Sequence, residues 1–483
     1  MKHSACLRRV KARAPIISLA RVSLFVAVCA ALVALASSVA EAMTIEKVVS
    51  PGGIEAWLVR DKAVPVIAVE FAIAGSADQD PADKPGVANM ATSLLDEGAG
   101  PYDGAEFHAR LERKAIELSF RAGHDYLRGT LRTLQENRDE AFDYLRLALT
   151  EPRFDPGAVE RIRAQIVSRL QRDSTNPNDI ASRNWWAVAY PDHPYGRPVN
   201  GTLESLPRIS VDDLKSYTRR VLARDKLKIA LVGDLDLDTA GKLLDSTFGG
   251  LPAKGELTPV ANIVPQGLGR RMVIHLDVPQ AVVNFGGPGI ARSDPDFMAA
   301  YIVNHILGGG SFSSRLYHEV REKRGLAYGV HGSLIWLDHT ALMLGSTATR
   351  ADATGQTIDI VENEIRRMGE QGPTAEEVIK AKTYLKGSFA LGLDTSNRIA
   401  SQLVQMQLDN LGMDYIERRP GLIDAVTLDD TKRVAKRLLD GGLLVTIVGR
   451  PQGVISTDGG VASSSGRVAP SRETAAGRDP EPR

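Results

Sequence analysis

Two stretches of the chain repeat the same residue order at a nearly constant distance. "FAIAGSADQDP" in the first half aligns with "FGGPGIARSDP" in the second, so that Phe71 matches Phe285 at an offset of 214 residues. Near the end of each half, "SVDDLK" (210–215) aligns with "TLDDTK" (427–432) at an offset of 217. A nearly constant offset over a whole half-chain indicates a duplicated domain of about 200 residues, which is an ordinary domain size.

Both copies follow the same order of predicted elements. Alternating apolar stretches such as "GIEAWLVRD" and "VIAVEFAIAG" predict strands, and longer patterns such as "DEAFDYLRLALT" predict helices. The last helix of each copy precedes a strand, "KIALVGD" or "LVTIVGR". We therefore predict an α+β fold of two homologous α/β sandwich domains, each a mostly antiparallel sheet with helices on one face.

Proline, glycine and serine mark the limits of these domains. The stretch "LPAKGELTPVANIVPQGLGRR" contains three prolines and predicts a linker, and the Gly-, Ser- and Pro-rich end of the chain predicts a disordered tail. In order, the predicted parts are a signal peptide (1–42), an N-terminal domain (43–255), a linker (256–270), a C-terminal domain (271–451) and the tail (452–483).

The N-terminus predicts export. Basic residues precede the apolar run "VSLFVAVCAALVAL", and Ala40-Glu41-Ala42 supplies an A-x-A cleavage site. We expect a periplasmic protein without stable membrane insertion after cleavage, and an uncleaved N-terminal anchor is the alternative. Both cysteines lie in this leader, so the mature chain would have no disulfide, cysteine nucleophile or thiolate metal ligand. Lys+Arg and Asp+Glu both total 59, a balance that gives no reason to expect a nucleic-acid partner.

Two segments carry most of the functional information, "KPGVANMATSLLDEGAG" and "GGGSFSSRLYHEVREKRGLAYGV". With the two-copy plan, they make the chain similar over about residues 45–450 to the insulinase/pitrilysin family of zinc metallopeptidases, in its mitochondrial-processing-peptidase-like branch. Active members carry H-x-x-E-H on a helix in the first segment. Two imidazoles on one helical face then bind zinc, the glutamate accepts a proton from the metal-bound water, and a later glutamate completes the ligands.

This chain departs from the family at every one of those positions. Asn89 and Ser93 stand where the histidines belong, Thr92 where the base belongs, and Ile162 at the position of the third ligand. Amide and hydroxyl groups are poor zinc ligands compared with imidazole and carboxylate. The histidines that the mature chain does contain form no H-E-x-x-H or H-x-x-E-H pattern. We therefore predict that this chain holds no metal and no other cofactor.

The basic stretch "RLYHEVREKRGLAYG" (315–329) has an ordinary explanation for most of its charge. A serine cap, an i,i+4 Glu–Lys pair, cations in the last turn and a left-handed glycine after it are features of a stable helix. The residues are Ser313 or Ser314 for the cap, Phe312, Leu316 and Val320 for the apolar side, Glu319 and Lys323 for the pair, and Gly325 for the end. Helix stability does not require Arg321 or Tyr328.

The resemblance gives these two residues a role. In the family, an arginine and a tyrosine seven positions later project from the second domain toward the zinc site in the first, and Arg321 and Tyr328 have this spacing. A tyrosine hydroxyl can donate to a developing oxyanion, and an arginine can hold the substrate backbone. Gly308, Gly309 and Gly310 resemble the substrate-contacting loop of the family's non-zinc subunits, and a flexible connection into the helix is the simpler alternative.

We therefore predict a non-zinc subunit of a periplasmic insulinase-family metalloendopeptidase. It would bind an unfolded peptide and contribute Arg321 and Tyr328 in trans to the zinc site of a paralogous partner, so that activity requires a hetero-oligomer with zinc in the partner. One alternative is a catalytically inactive scaffold or binding protein of the same fold. A further alternative is a self-sufficient zinc peptidase with atypical ligands.

Overall fold

The computed structural model describes residues 43–457. The strands of the first half are β1 (Ile45–Val49), β2 (Glu55–Arg60), β3 (Val66–Ala74), β4 (Gly98–Ala99), β5 (Tyr102–Asp103), β6 (Glu117–Ala122), β7 (Tyr126–Leu134) and β8 (Leu227–Gly233). Those of the second half are β9 (Arg271–His275), β10 (Gln280–Pro288), β11 (Ala327–Trp336), β12 (Ala341–Arg350) and β13 (Leu444–Gly449). Except for the small β4–β5 ribbon, they form two sheets, one in each half.

Helices connect the strands in both halves. In the first half they are α1 (Val87–Thr92), α2 (Gly104–Arg113), α3 (Arg138–Thr150), α4 (Pro156–Asp173), α5 (Pro177–Ala189), α6 (Val211–Val221) and α7 (Leu237–Phe248). In the second they are α8 (Phe297–Asn304), α9 (Arg315–Tyr317), α10 (Thr354–Gln371), α11 (Ala375–Leu391), α12 (Ser396–Leu408), α13 (Tyr415–Ala425) and α14 (Leu428–Leu439). The helices α6 and α14, which precede the strands β8 and β13, each begin with a capping box at the two "DD" sequences that revealed the repeat.

The two sheets share one topology, except that the first has an additional edge strand, β1. The strand order is β1-β2-β8-β3-β7-β6 in the first and β11-β12-β10-β13-β9 in the second. Each contains one parallel pair, β2–β8 or β13–β9, and its other pairs are antiparallel. The strands β3 and β10, which carry the repeated "F" segments, each lie between two antiparallel neighbours. The predicted α+β class of two homologous domains with mostly antiparallel sheets is confirmed, but helices cover both faces of each sheet and not only the one face predicted, because one helix comes from the other half.

A helix from each half crosses to the sheet of the other half. In α5, Ile180 and Ala181 share a buried apolar cluster with three residues of the second sheet, and the Trp185 indole donates to the Leu444 carbonyl at 3.0 Å. In return, α12 packs on β3 and β8 of the first sheet, where the Gln407 amide donates to the Ile229 carbonyl at 2.8 Å. The large cores lie on the opposite faces, so each sheet is covered on both sides.

A phenylalanine lies over a glycine at the centre of both sheets. Phe71 on β3 is opposite Gly129 on β7, and Phe285 on β10 is opposite Gly345 on β12. A Cβ on Gly129 would lie 2.2 Å from the Phe71 ring, and one on Gly345 would lie 2.3 Å from the Phe285 ring. The rings therefore occupy the space that a side chain on either glycine would need, and the repeat extends to side-chain packing.

The connection between the sheets, residues 251–270, forms neither helix nor strand. It is nevertheless bonded to both halves. The backbone N–H of Thr258 donates to the Gln79 side chain at 2.7 Å, and the N–H of Ile263 donates to the His339 carbonyl at 2.9 Å. Because Gln79 lies in the first half and His339 in the second, the linker contacts both sides of their junction. The exact domain limits remain predictions.

The predicted signal peptide and most of the predicted tail lie outside the described residues. At the start of that predicted tail, the backbone N–H groups of Gln452 and Thr457 donate to the carbonyls of Ala351 and Arg271, at 2.9 and 3.0 Å. These bonds attach the chain to the second half as far as the last described residue. Within residues 43–457, no helix is both long enough and apolar enough to cross a membrane.

Candidate functional site

The helix that matches the family's metal position, α1, is fixed at its start by a buried carboxylate. Asp80 accepts hydrogen bonds from the backbone N–H groups of Gly86, at 2.7 Å, and Ala88, at 2.8 Å. Gly86 has a φ of 101°, a conformation that favours glycine. Burial raises the pKa of Asp80 to about 7. Contacts within the chain are thus sufficient to define where this helix begins.

The four positions of the family's zinc ligands and base have two different environments here. Asn89 and Ser93 are partly exposed on α1 and at its end. Thr92 is only 1% exposed, and Ile162 of α4 belongs to the main hydrophobic core of the first half. Two positions are therefore part of the interior, and the other two carry neutral, weakly ligating groups. Among residues 43–457, no three or more His, Cys, Asp or Glu side chains are arranged to hold a metal ion.

Two acidic residues follow α1, Asp96 and Glu97, and a cation already pairs with Glu97. The Glu97 carboxylate is bonded to the guanidinium of Arg161 on α4 and lies 3.7 Å from Nε2 of His108 on α2. Burial raises the pKa of the neighbouring Asp96 to about 6. The dipeptide Asp96-Glu97 is visible in the sequence, but only the fold brings Arg161 and His108 beside it.

The three predicted substrate-binding glycines lie at a π-helical turn. The turn His305–Gly309 continues α8, and Gly310 follows it. A Cβ at Gly308 would lie 2.8 Å from the backbone nitrogen of Gly332 on β11, and one at Gly309 would lie 2.8 Å from the Asn304 side chain. A Cβ at Gly310 would lie 2.7 Å from the His305 carbonyl oxygen. Close packing of the turn requires these glycines, and their contact with substrate stays a prediction.

The basic stretch forms a short helix that ends as its sequence indicates. α9 continues as a π-helical segment, His318–Glu322. Its N-cap is Ser314, and Gly325 after it has a φ of 61°. Leu316 and Val320 are buried as predicted, but Phe312 is 72% exposed. The prediction for Phe312 is wrong because this residue belongs to a separate 3-10 turn, Ser311–Ser313, to which the helical spacing does not apply.

Most charged side chains of this helix are paired within the chain. The pairs are Arg315 with Glu377, His318 with Glu322, and both Lys323 and Arg324 with Glu319. The Arg315–Glu377 pair is bidentate, with both N–O distances at 2.7 Å. Burial raises the pKa of Glu319, but hydrogen bonds from Lys323 and Arg324 outweigh it and lower the pKa to about 2. The predicted Glu319–Lys323 pair is confirmed at 2.7 Å.

Arg321 is different from these neighbours. Its guanidinium donates to the hydroxyl of Tyr317 and lies 5.0 Å from the centre of that ring. Among the described residues, no carboxylate lies within ion-pair distance of it. Tyr317 in turn meets the Phe312 ring edge-on, at 5.1 Å between centroids. The sequence reasoning missed Tyr317, although its position four residues before Arg321 on a helix was the available indication.

Tyr328 lies on β11, the edge strand of the second sheet, and is 83% exposed. Within the described part of the chain, Arg321 and Tyr328 share no hydrogen bond, ion pair or ring contact with each other or with α1. Both side chains are free to meet a group from outside the chain. Their predicted role at a partner's zinc site remains a prediction.

Comparison with known families agrees with this geometry. A model described as Insulinase (Peptidase family M16) matches residues 59–203, and one described as Peptidase M16 inactive domain matches residues 208–385. Together the two matches cover most of both halves, including α1 and the Arg321 helix. The chain therefore belongs to the insulinase family of peptidases. Because its metal positions are replaced and its second half matches the inactive domain, it is an inactive member of that family.

Individual relatives extend the comparison. A Helicobacter pylori protein described as non-peptidase homolog YmxG is 28% identical over 333 residues, which are 69% of this chain and 77% of that protein. A Streptomyces coelicolor protein described as an uncharacterized zinc protease is 27% identical over 418 residues, 84% of this chain and 90% of the other. The crystal structure of a peptidase M16 inactive domain from Pseudomonas fluorescens superimposes with a TM-score of 0.80 at 26% identity. The superposition covers 86% of this chain and 99% of the Pseudomonas fluorescens chain.

Proposed function

We propose that this protein is the non-zinc subunit of a periplasmic insulinase-family metalloendopeptidase. It pairs with a zinc-bearing paralogue, and the two chains enclose an unfolded peptide. The partner supplies the metal and the base, and this chain supplies Arg321, Tyr328 and part of the peptide-binding surface. Activity belongs to the pair, because neither chain holds a complete site.

One observation supports this proposal above the others. Two residues at positions that the family uses in its site, Arg321 and Tyr328, are accessible, whereas the metal positions are replaced. Tyr328 is 83% exposed and Arg321 has no carboxylate partner among residues 43–457, so both can reach another molecule. The metal positions, by contrast, have become Asn89, Ser93, buried Thr92 and Ile162 in the core. A protein that served only as a scaffold would need neither side chain exposed in this way.

The chemistry of the two residues suits the proposal. A tyrosine hydroxyl is a neutral donor that stabilises negative charge on the attacked carbonyl oxygen. A guanidinium has five N–H donors, of which Tyr317 uses one here, so the others remain for substrate carbonyls. Because Tyr317 holds the arginine in place, less conformational freedom is lost when a peptide binds.

The test is a peptidase assay of the complex with a zinc-bearing insulinase-family chain from the same genome, using a quenched-fluorescent unfolded peptide. Tyr328→Phe is expected to lower kcat about 100-fold, as the loss of one oxyanion donor does in other hydrolases. Arg321→Ala is expected to lower kcat/KM by a similar factor. Both residues are exposed, so neither change should alter the thermal unfolding midpoint.

Two control variants complete the design. Tyr102→Phe removes a hydroxyl from the first half, and Arg366→Ala removes an exposed guanidinium whose only hydrogen-bond partner among residues 43–457 is Asn363, at 3.0 Å. Both controls should keep full activity. Equal rates for Arg321→Ala, Tyr328→Phe and the controls would rule out a shared site.

A scaffold protein of the same fold is the second candidate. The description of the Helicobacter pylori relative as a non-peptidase homologue favours it, as does the loss of the metal ligands. This candidate predicts a stable complex with the partner and no dependence of peptidase activity on this chain. Assaying the zinc-bearing chain with and without its co-purified partner separates the two: a scaffold leaves kcat unchanged, whereas a shared site raises it.

The periplasmic location is part of the proposal and has its own test. Its support is the export leader predicted at residues 1–42, which lies outside the described residues. Osmotic-shock fractionation is expected to release the protein with the periplasmic contents. N-terminal sequencing of that material should begin at Met43, whereas an intact leader on a membrane-bound chain would indicate an uncleaved anchor.

A further inference from the structure

The turn before the Arg321 helix exposes an aromatic ring at an energetic cost. Ser311 has a φ of 46°, a left-handed conformation that non-glycine residues seldom adopt. The next residue, Phe312, is 72% exposed, although a phenylalanine gains most when it is buried. Strained backbone of this kind persists where the surrounding structure enforces it, often at ligand sites. Two unfavourable features therefore stand in neighbouring residues of this turn.

Phe312 and Arg321 are held together by one side chain. The Tyr317 ring contacts the Phe312 ring at 5.1 Å between centroids and the Arg321 guanidinium at 5.0 Å from its own centroid. The exposed ring and the guanidinium are therefore separated by no more than the sum of these two distances. An apolar surface and a cation with free N–H donors stand side by side on the face that carries the proposed substrate residues.

Charge indicates what binds next to the ring. Arg315, Lys323 and Arg324 each have a carboxylate partner, whereas among the described residues Arg321 has only the neutral Tyr317 hydroxyl. A guanidinium next to apolar surface is complementary to a carboxylate, with which it forms two parallel N–H···O bonds. The missing partner is therefore an acidic group on the bound molecule.

We propose that Phe312 and Arg321 form a two-part site for an extended peptide in which a large apolar side chain, aromatic above all, and an Asp or Glu side chain are two residues apart. In an extended strand, residues i and i+2 point to the same side at a spacing of about 6.6 Å, which lies within the upper limit that the two contacts to Tyr317 set. Adjacent residues point to opposite sides and do not fit. The inference rests on the proposed function only in assuming that peptides reach this face.

The experiment needs only this chain, purified in its mature form. Fluorescein-labelled, C-terminally amidated ten-residue peptides in a Gly/Ser background are titrated by fluorescence anisotropy. The probe peptide contains Phe-Ser-Glu. Two comparison peptides contain Phe-Ser-Gln or Ala-Ser-Glu, and a third contains Phe-Glu, in which the two residues are adjacent. Each comparison peptide is expected to bind about tenfold more weakly than the probe, and the difference between Glu and Gln should shrink as salt rises.

Variants assign the two parts of the site. Arg321→Gln should abolish the preference for Glu over Gln and keep the preference for Phe over Ala, whereas Phe312→Ala should do the reverse. Tyr317→Phe keeps the ring but removes the hydroxyl that positions the guanidinium, so it should reduce only the Glu preference. Arg366→Gln, at an exposed guanidinium without an aromatic neighbour, should leave both preferences intact.

Two outcomes would overturn the proposal. One is a Glu preference that survives Arg321→Gln, and the other is the absence of saturable binding of the Phe-Ser-Glu peptide at millimolar chain concentration. Neither result would contradict the shared peptidase site, which is tested separately by the activity of the complex. In that site Arg321 and Tyr328 act on the peptide backbone, so their effect does not depend on the side chains of the peptide. Conversely, a complex without activity would not affect the peptide preferences of this chain.

Discussion

Gly345→Ala is the substitution that most directly tests the central packing of the second sheet. The added Cβ would lie 2.3 Å from two ring carbons of Phe285 and 2.8 Å from the backbone oxygen of His331. Favourable carbon–carbon contacts begin at about 3.5 Å, so the ring would have to retreat by roughly 1 Å into a close-packed core. Phe285 is only 2% exposed, so the ring would move against other protein atoms and not into solvent.

The magnitude follows from two opposing effects. Overpacking a buried site of this kind costs about 1–3 kcal/mol. Replacing a strand glycine by alanine returns about 0.5–1 kcal/mol, because the unfolded chain loses conformational freedom. Gly345→Ala should therefore lower the free energy of unfolding by up to about 2.5 kcal/mol, measured by urea denaturation with circular dichroism.

A matched control is available on α11. Gly387 is exposed within that helix, four residues before its end, and a Cβ there would meet nothing within 4 Å. Gly387→Ala should therefore raise the free energy of unfolding by about 0.5–1 kcal/mol. Phe285→Leu should cost less in the Gly345→Ala background than alone, because it removes part of the clash. If Gly345→Ala stabilised the protein as Gly387→Ala does, the reasoning would be refuted.

Charge and metal binding supply three more predictions. Burial raises the pKa of Glu70, a 4% exposed residue on β3, to about 7, so the folded chain holds this proton more tightly than the unfolded chain. The free energy of unfolding should then fall as pH rises from 4.5 to about 7, and Glu70→Gln should remove about 1–3 kcal/mol of that fall. If urea denaturation gave the same dependence of unfolding free energy on pH for the parent and for Glu70→Gln, this prediction would be wrong. Arg315→Gln breaks the bidentate pair with Glu377 and should cost about 1.5–3 kcal/mol in the same assay, while Arg366→Gln stays within about 0.5 kcal/mol of the parent. Purified chain dialysed against zinc should retain far less than one equivalent by elemental analysis, and one tightly held equivalent would favour the self-sufficient peptidase instead.

Local interactions were predictable from the sequence because they depend on residues a few positions apart. Ser314 caps the basic helix, Gly325 ends it, and Glu319 pairs with Lys323, all as their spacing indicated. The fold class was predictable for a related reason, since a constant offset between two half-chains requires two similar structures. Arg321 and Tyr328 were found by spacing and by resemblance, and the structure adds that both are accessible.

Features that depend on distant contacts could not be predicted. The glycines at 308 and 309 are explained by Gly332 and Asn304, and only the folded chain brings the turn against β11. The exposure of Phe312 follows from a turn that interrupts the helical pattern. Tyr317 gains its importance from the two side chains it contacts, not from its own position. The sequence also gave no indication that α5 and α12 cross between the halves.

The crossing of these two helices makes the halves mutually dependent. A gene cut within residues 256–270 would encode two polypeptides, each with one bare sheet face and one helix without a sheet to cover. Expressed alone, each fragment should aggregate through its uncovered apolar strands. Expressed together, the fragments should exchange helices and reassemble, as in a split-protein pair. An ancestor of half the length would have needed a second copy of itself to cover the second face of its sheet. The present chain therefore has the architecture of a homodimer whose subunits were joined end to end and then diverged.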